Sequence, residues 1–336
     1  CYTWGFTHPE ECEGKMHAGS SATPIGPYTH WLEDRGELKS FHEDYTARQK
    51  EGWFKALHDS VLPTEAFEDA YIGTRAADWI SKVPDDFPWH YFVSFVGPHD
   101  PFDAPKEYAD NYRNADMPAP LLPTPDGKSA EYANRQCNMG LEQINKARQM
   151  YCAAIELIDD KIGEILDALD NRGMTDNTVI IFTSDHGEML GDHGLFTKGV
   201  GYEQALRVPL LMAGPGVPEG KRSDTLVELN DVNPTICEAA GLPPQESIDA
   251  KSLYPYLRGD VDEHRDQAFS CLDNFKCLRT KTHKVILSRN DRMCVELYDL
   301  VNDPNETTNV RDRKKDVCGP LRSRIQQRLT HAKGMR

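Results

Sequence analysis

Residues 178–198 read TVIIFTSDHGEMLGDHGLFTK, and the change of character within that stretch decides the fold. Thr178 to Phe182 is a short β-prone, apolar run of the kind a sheet buries. It stops abruptly at Thr183-Ser184-Asp185-His186-Gly187. A second acidic–histidine–glycine triplet, Asp192-His193-Gly194, follows before Lys198 closes the segment. A buried strand ending in a polar, glycine-containing loop is where open α/β sheets place ligands, beyond the carboxyl ends of the strands. Asp185 offers a hard oxygen and His186 an imidazole nitrogen, both suited to a divalent cation. Lys198 adds a compact positive charge for an anion. An isolated Asp-His pair would merely cap a turn. With the lysine on the same loop, the three residues point to a metal-assisted site for an oxyanion.

Working outward, HYFVSFV at His90 to Val96 reads as a second buried strand, broken by Gly97-Pro98-His99-Asp100-Pro101. A third strand is expected at Val208 to Ala213, ended by Gly214-Pro215-Gly216. Helices are expected over Leu62 to Ser81, over Gln143 to Asp170 and over Asn233 to Ala240. In the second of these Tyr151, Ile155, Ile158, Ile162, Ile165 and Leu169 step by three and four. Residues 1–60 read as polar and irregular apart from a helix-like piece at Tyr28 to Leu32, and Asp103 to Asn138 reads as a long surface loop. Alternating strands and helices predict an α/β domain over residues 1–260, with a mainly parallel sheet flanked by helices. After Gly259 the strands become short: Gln267 to Leu272, Phe275 to Leu278, His283 to Leu287 and Cys294 to Leu300, then a helix at Leu321 to Ala332. Residues 261–336 are therefore expected to form a small antiparallel sheet with one helix.

The net charge of −16 argues against a nucleic-acid partner, which needs a basic face. It also requires an anionic substrate to be met by local cations working against the overall field. No apolar run approaches the length of a membrane span. Nine cysteines without a C-x-x-C pair exclude complete pairing within the chain and weaken a zinc-ribbon reading. The chain opens on Cys1 rather than Met, so translation is expected to begin upstream, and no compartment is assigned.

The loop after Thr178 closely resembles the second metal motif of sulfatases, within the alkaline phosphatase superfamily. That motif runs strand, S-D-H/N-G, G-[DE]-H-G, Lys, then V-P-L, and this chain supplies Arg207-Val208-Pro209-Leu210-Leu211 at its end. Pro98-His99-Asp100-Pro101-Phe102 is similar to the x-P-H-x-P-F turn of the same family, whose histidine contacts the sulfate. Tyr298 through Asn309 resembles the Y-D-L-x-x-D-P-x-E-x-x-N signature of its C-terminal module, expected to make a turn at Asp303-Pro304 without catalytic role. The resemblance implies that Asp185 and His186 bind a divalent metal and that Lys198 and His99 bind the oxyanion and serve catalysis. It implies Ca2+ as the cation, although His186 would also suit Mn2+ or Zn2+. The substrate would be a small-molecule or carbohydrate sulfate ester, and a periplasmic or secreted location is compatible with the family.

Three departures qualify the match. Gly14-Lys15-Met16-His17 resembles a G-K-x-H motif whose Lys and His surround the nucleophile, but no strand precedes it and Gly5-Phe6 comes before it. The C-x-P-S-R motif that yields the formylglycine nucleophile is absent, as is the paired Asp of the first strand. Cys318-Gly319-Pro320-Leu321-Arg322 fits C-x-P-x-R only loosely, and Cys318 is expected to be an ordinary thiol at a helix start. The chain therefore reads as roughly the carboxyl-terminal two-thirds of a sulfatase, matched over about Tyr28 to His331 and inactive alone. Alternatives are a phosphodiesterase or phosphonate monoester hydrolase of the same superfamily, or a non-catalytic anion-binding relative.

Overall fold

A computed structural model describes residues 5–123, 132, 135–243, 249–288 and 294–334. It divides into two units, Cys1–Ala119 with Met139–Thr175, and Pro120–Asn138 with Asp176–Arg336.

The first unit is helical. Its elements are α1 (Lys15–Ala18), α2 (Pro27–Asp34), α3 (Leu38–Glu51), α4 (Glu68–Lys82), α5 (Lys106–Tyr112) and α6 (Leu141–Asn171). The long α6 buries Ile144, Ala147, Met150, Ala154, Leu157 and Ile158 at helical spacing and packs along α4. Their close approach depends on Gly73, where a Cβ would lie 2.5 Å from the Cβ of Lys161. Helix α3 was expected to be irregular polar chain. Its buried residues, Leu38, Phe41, Tyr45 and Arg48, form a stripe too sparse to stand out among charged neighbours. Leu38, Phe41 and Tyr45 join Tyr28, Leu32, Leu62 and Ala66 in a second core cluster. Fully buried Arg48 donates to Asp44 and to the carbonyls of Ala56 and Asp59, which shapes the chain beyond α3. The expected long loop after Asp103 contains α5, and its residues 124–131 and 133–134 lie outside those described.

The second unit carries the sheets. Strands β1 (Ile180–Thr183) and β2 (Leu210–Ala213) pair antiparallel, with Ile180 opposite Ala213 and Thr183 opposite Leu210. Strands β3 (Gln267–Cys271), β4 (Phe275–Thr280), β5 (His283–Ser288) and β6 (Cys294–Asp299) form an antiparallel meander in that order. The unit also contains α7 (Glu203–Leu206), α8 (Val232–Ala239), α9 (Tyr254–Leu257) and α10 (Lys315–Gly334). Leu278, Val285, Leu287 and Leu297 line one face of the meander and pack with Leu321 and Ile325 of α10. Phe275, Cys277, Ile286 and Tyr298 line the other face and cover Met189, Leu195 and Tyr202 of the loop after β1. Because successive side chains alternate across a strand, one small sheet serves two cores, and the second anchors the candidate site.

Several particulars differ from expectation. The described strands 180–183 and 210–213 are antiparallel neighbours, and residues 90–96 form no ladder among the described residues. An apolar run looks the same in either strand direction, so pairing sense is not written in it. Along 90–96 the exposure alternates, Tyr91, Val93 and Phe95 being partly covered and Phe92 being 67% exposed. The last helix begins at Lys315, which puts Pro320 inside it rather than at its start. Cys318 is disulfide-bonded and not a free thiol.

Candidate active site

In the second unit, β1 delivers the chain into the Ser184–Gly199 loop. Gly187 donates its N–H to the Ala205 carbonyl at 2.9 Å, and a Cβ there would sit 1.9 Å from the Gln204 carbonyl oxygen. Only glycine allows that approach, which explains the residue after His186. Farther along, Gly191 donates to Leu195 O at 2.8 Å, and buried His193 stacks on Tyr202 with ring centroids 4.9 Å apart. The His193 carbonyl accepts from the Tyr132 hydroxyl at 2.6 Å, while an Asp192 carboxylate oxygen accepts from Leu121 N at 2.9 Å. The second acidic–histidine–glycine triplet is thus a folding device for the loop.

Asp185 and His186 come together at the head of this loop. His186 Nδ1 lies 2.9 Å from the Gly187 carbonyl oxygen, an arrangement that places the proton on Nδ1. In the neutral ring Nε2 carries a lone pair; it lies 3.4 Å from Asp185 Oδ2, and the Asp185 side chain is 83% exposed. Two electron-rich atoms facing each other, with the far ring nitrogen tied to a backbone carbonyl, suit a cation shared between them. One hard oxygen and one nitrogen fit a divalent metal but supply only part of its shell. Among the described residues, no group of three or more His, Cys, Asp or Glu gathers around such a point.

Lys198 lines an open cavity of about 690 Å³ with Arg135, Gly199 and the β3–β4 turn Cys271 to Asn274. Its loop is fixed by Glu188, whose carboxylate accepts from Thr197 N and Leu190 N, and by Met189 N bonding to Thr197 O at 3.2 Å. Beyond it, buried Lys284 on β5 binds Glu203, Glu306 and the Gly201 carbonyl, tying the loop's exit to the meander. The Tyr298–Asn309 signature is a structural brace. Glu306 accepts from Glu203 N at 2.8 Å, Asp303 caps Thr307 N at 3.1 Å, and Asn309 accepts from Leu297 N at 3.1 Å.

In the first unit, His99 sits on the turn after residues 90–96. Its Nδ1 lies 2.7 Å from the Asp100 carbonyl oxygen and 3.3 Å from Asp100 Oδ1. The turn is gripped from both ends. Fully buried Asp69, in the first turn of α4, accepts from Val96 N and Gly97 N, each at 2.8 Å. These amides have no ladder partner among the described residues, so a side chain supplies the acceptor that burial demands. Lys15, 3% exposed, donates to His99 O at 3.3 Å and Pro101 O at 3.1 Å and pairs with Asp103 at 2.5 Å. Glu68, beside Asp69, accepts from Gly14 N at 3.0 Å and so holds the G-K-M-H loop as well. Burial, reinforced by the neighbouring Asp69 carboxylate, pushes Glu68 up to about 8. Burial also raises Asp69 above the usual carboxylate range.

Of the four expected site residues, Asp185, His186 and Lys198 share one loop of the second unit, and His99 belongs to the first. Lys15 joins the His99 turn through its ammonium, whereas His17 is exposed on α1. Sequence reading missed Asp69, Glu68, Arg135 and Glu188. All four act on backbone groups rather than through a motif, so only Glu188, lying within the quoted stretch, carried any signal.

The chain superposes on the phosphonate monoester hydrolase of Agrobacterium radiobacter with a TM-score of 0.72 at 25% identity, over 92% of this chain and 69% of that one. The fold is that of the alkaline phosphatase superfamily, with its small C-terminal antiparallel sheet of four strands. Residues 25–242 match the sulfatase family, and residues 191–334 match the C-terminal region of N-sulphoglucosamine sulphohydrolase. The chain is 31% identical to an arylsulfatase of Clostridium perfringens over 89% of its length and 70% of that protein's. It is 31% identical to a choline-sulfatase of Rhizobium meliloti over 76% of its length and 52% of that protein's. The chain belongs to the sulfatase family.

Proposed function

We propose that the intact protein hydrolyses sulfuric esters, with Asp185 and His186 holding a divalent cation and Lys198 and His99 holding the sulfate oxygens. The carrying observation is the facing pair of His186 Nε2 and Asp185 Oδ2, 3.4 Å apart, in a chain of this family. Ca2+ is the cation the family resemblance favours, and Mn2+ or Zn2+ also suits an oxygen–nitrogen pair. When bound, the cation polarises the ester oxygens and lowers the pKa of the attacking hydroxyl. That hydroxyl belongs to a formylglycine outside this chain.

Lys198 donates to a sulfate oxygen as a point charge and stabilises negative charge that grows in the transition state. His99 commits Nδ1 to the Asp100 carbonyl, so it meets the ester through Nε2. Doubly protonated, it donates there to a sulfate oxygen, and either it or Lys198 gives the leaving oxygen its proton as the sulfur–oxygen bond breaks. The substrate is the sulfate ester of a small molecule or a carbohydrate.

The superposition on a phosphonate monoester hydrolase supports a second reading, in which the same pocket acts on a phosphonate or phosphate diester. Assay of the full-length protein with 4-nitrophenyl sulfate and with a 4-nitrophenyl phosphonate monoester separates the two. The sulfate ester is expected to be turned over with the higher kcat/KM, and Asp185→Asn is expected to abolish that turnover. A reversed preference would favour the second reading, and unchanged turnover in Asp185→Asn would remove the metal role.

A further inference from the structure

We propose that Arg135 is a positioning residue for Lys198, holding the backbone on either side of that lysine and keeping Thr197 in a left-handed conformation it would not hold unaided. The proposal deepens the reading of Lys198 as an oxyanion ligand and rests on it.

Thr197 has φ of +66°, and Gly199 has φ of +88°. The second is ordinary for glycine. The first is not, because a β-branched residue in the left-handed region crowds its own Cβ against the backbone. Two left-handed residues flanking Lys198 turn three successive groups toward one side of the loop: the Thr197 hydroxyl, the Lys198 carbonyl and the Gly199 carbonyl. One guanidinium meets all three. Arg135 Nη2 donates to Thr197 Oγ1 at 3.2 Å and to Lys198 O at 2.5 Å, and its Nη1 donates to Gly199 O at 3.0 Å.

Asn274, in the β3–β4 turn, adds a second donor to Gly199 O at 2.8 Å. Glu188 receives the Thr197 amide. The strained residue is therefore clamped at its amide, its side chain and the next two carbonyls. Strain over-determined in this way, one residue from a charged side chain lining an open cavity, is the pattern expected where geometry is held for function.

The fork geometry explains why an arginine serves here. Its planar, fixed donors span several acceptors at once, which the single ammonium of a lysine does not reproduce. Arg135 uses those donors on loop carbonyls, so it shapes the cavity wall while Lys198 supplies the charge directed at substrate. Its segment, within 120–138, lies far from Lys198 in sequence but in the same unit, and no motif announces it.

The test is a set of variants of the full-length protein assayed on an aryl sulfate, with thermal melting measured on each. Arg135→Ala and Arg135→Lys are each expected to lower kcat/KM about 30-fold, consistent with the cost of a small misplacement of a catalytic group. Adding Thr197→Gly to Arg135→Ala is expected to restore about fivefold or more, because glycine takes positive φ without the clamp. In a Lys198→Ala background, Arg135→Ala is expected to cost less than about threefold, since its effect passes through the lysine.

An equal cost in both backgrounds, or a folded Arg135→Ala protein that Thr197→Gly does not restore, would overturn the proposal. If Arg135→Ala fails to fold, Arg135→Lys combined with Thr197→Gly carries the same two comparisons. Should Lys198→Ala itself leave kcat/KM intact, the reading of Lys198 falls. Faster amide exchange at 197–199 in Arg135→Ala would in that case still show the clamp on the loop, and unchanged exchange would sink the clamp too.

Discussion

The His99 turn and the Lys198 loop each carry a side chain proposed to bind the oxyanion, yet they are held by opposite means. Around His99 the work is done by buried ionisable side chains. Asp69 and Glu68 accept backbone amides, and Lys15 binds two carbonyls and the Asp103 carboxylate, with all four side chains nearly or fully inaccessible. Around Lys198 it is done by backbone conformation, with a left-handed threonine, glycines that admit close approach, and neutral or single-ion hydrogen bonds to carbonyls. A turn held by buried ions is coupled to the stability of its unit, because removing one partner strands the other charge in a dry environment. A loop held by conformation can lose its aim while the fold survives.

The comparison breaks most visibly between the two lysines. Lys198→Ala is expected to lower kcat/KM of the full-length protein by about a thousandfold, in the range seen for removal of an oxyanion donor, with the melting temperature little changed. Steady-state kinetics beside calorimetric melting would check it, and a loss of stability equal to the loss of turnover would erase the distinction. Lys15→Met is expected to act the other way round. Leaving buried Asp103 with only Arg48, 3.9 Å away, should cost about 3 kcal/mol in urea unfolding.

A smaller effect concerns pH. Glu68 is raised in the folded state to about 8 from 4.5, chiefly by burial, so the folded protein binds that proton more tightly than the unfolded chain. Its contribution to stability is therefore present below about 4.5 and is lost as pH rises through about 8. Unfolding free energies across that window should fall more steeply in the native protein than in Glu68→Gln, and parallel slopes would refute the assignment. The smallest signal is expected from the 336-residue chain with metal alone. Titration calorimetry with Ca2+ or Mn2+ should give a Kd of roughly millimolar or weaker, as an incomplete oxygen and nitrogen set implies. Tight stoichiometric binding would show that further ligands lie within the chain.

Legibility followed the same division. The Lys198 loop was readable because its motif is local, although Arg135 and Asn274, which also hold it, are not. A strand end, a glycine after His186 and a second Asp-His-Gly triplet sit within one window, and β1, β2 and the four-stranded meander were placed by the same apolar runs. The buried network around His99 was not readable. Asp69 and Glu68 look like ordinary first-turn acids of a helix, and nothing in Lys15 announces burial beside Asp103, 88 positions away. The sense of strand pairing was equally hidden, since Ile180 to Thr183 would read alike beside a parallel neighbour. Helix α3 escaped because four buried positions in a highly charged stretch do not make a visible face, and one of those four is an arginine.

The most direct test of the account is anomalous diffraction from crystals of the full-length protein grown with Mn2+. The account predicts one metal peak in contact with both Asp185 Oδ2 and His186 Nε2, with the Lys198 ammonium directed at an oxyanion bound beside it. The peak should vanish in Asp185→Asn. A metal bound elsewhere, or His186 found with a proton on Nε2 and turned away from Asp185 in the loaded protein, would contradict it.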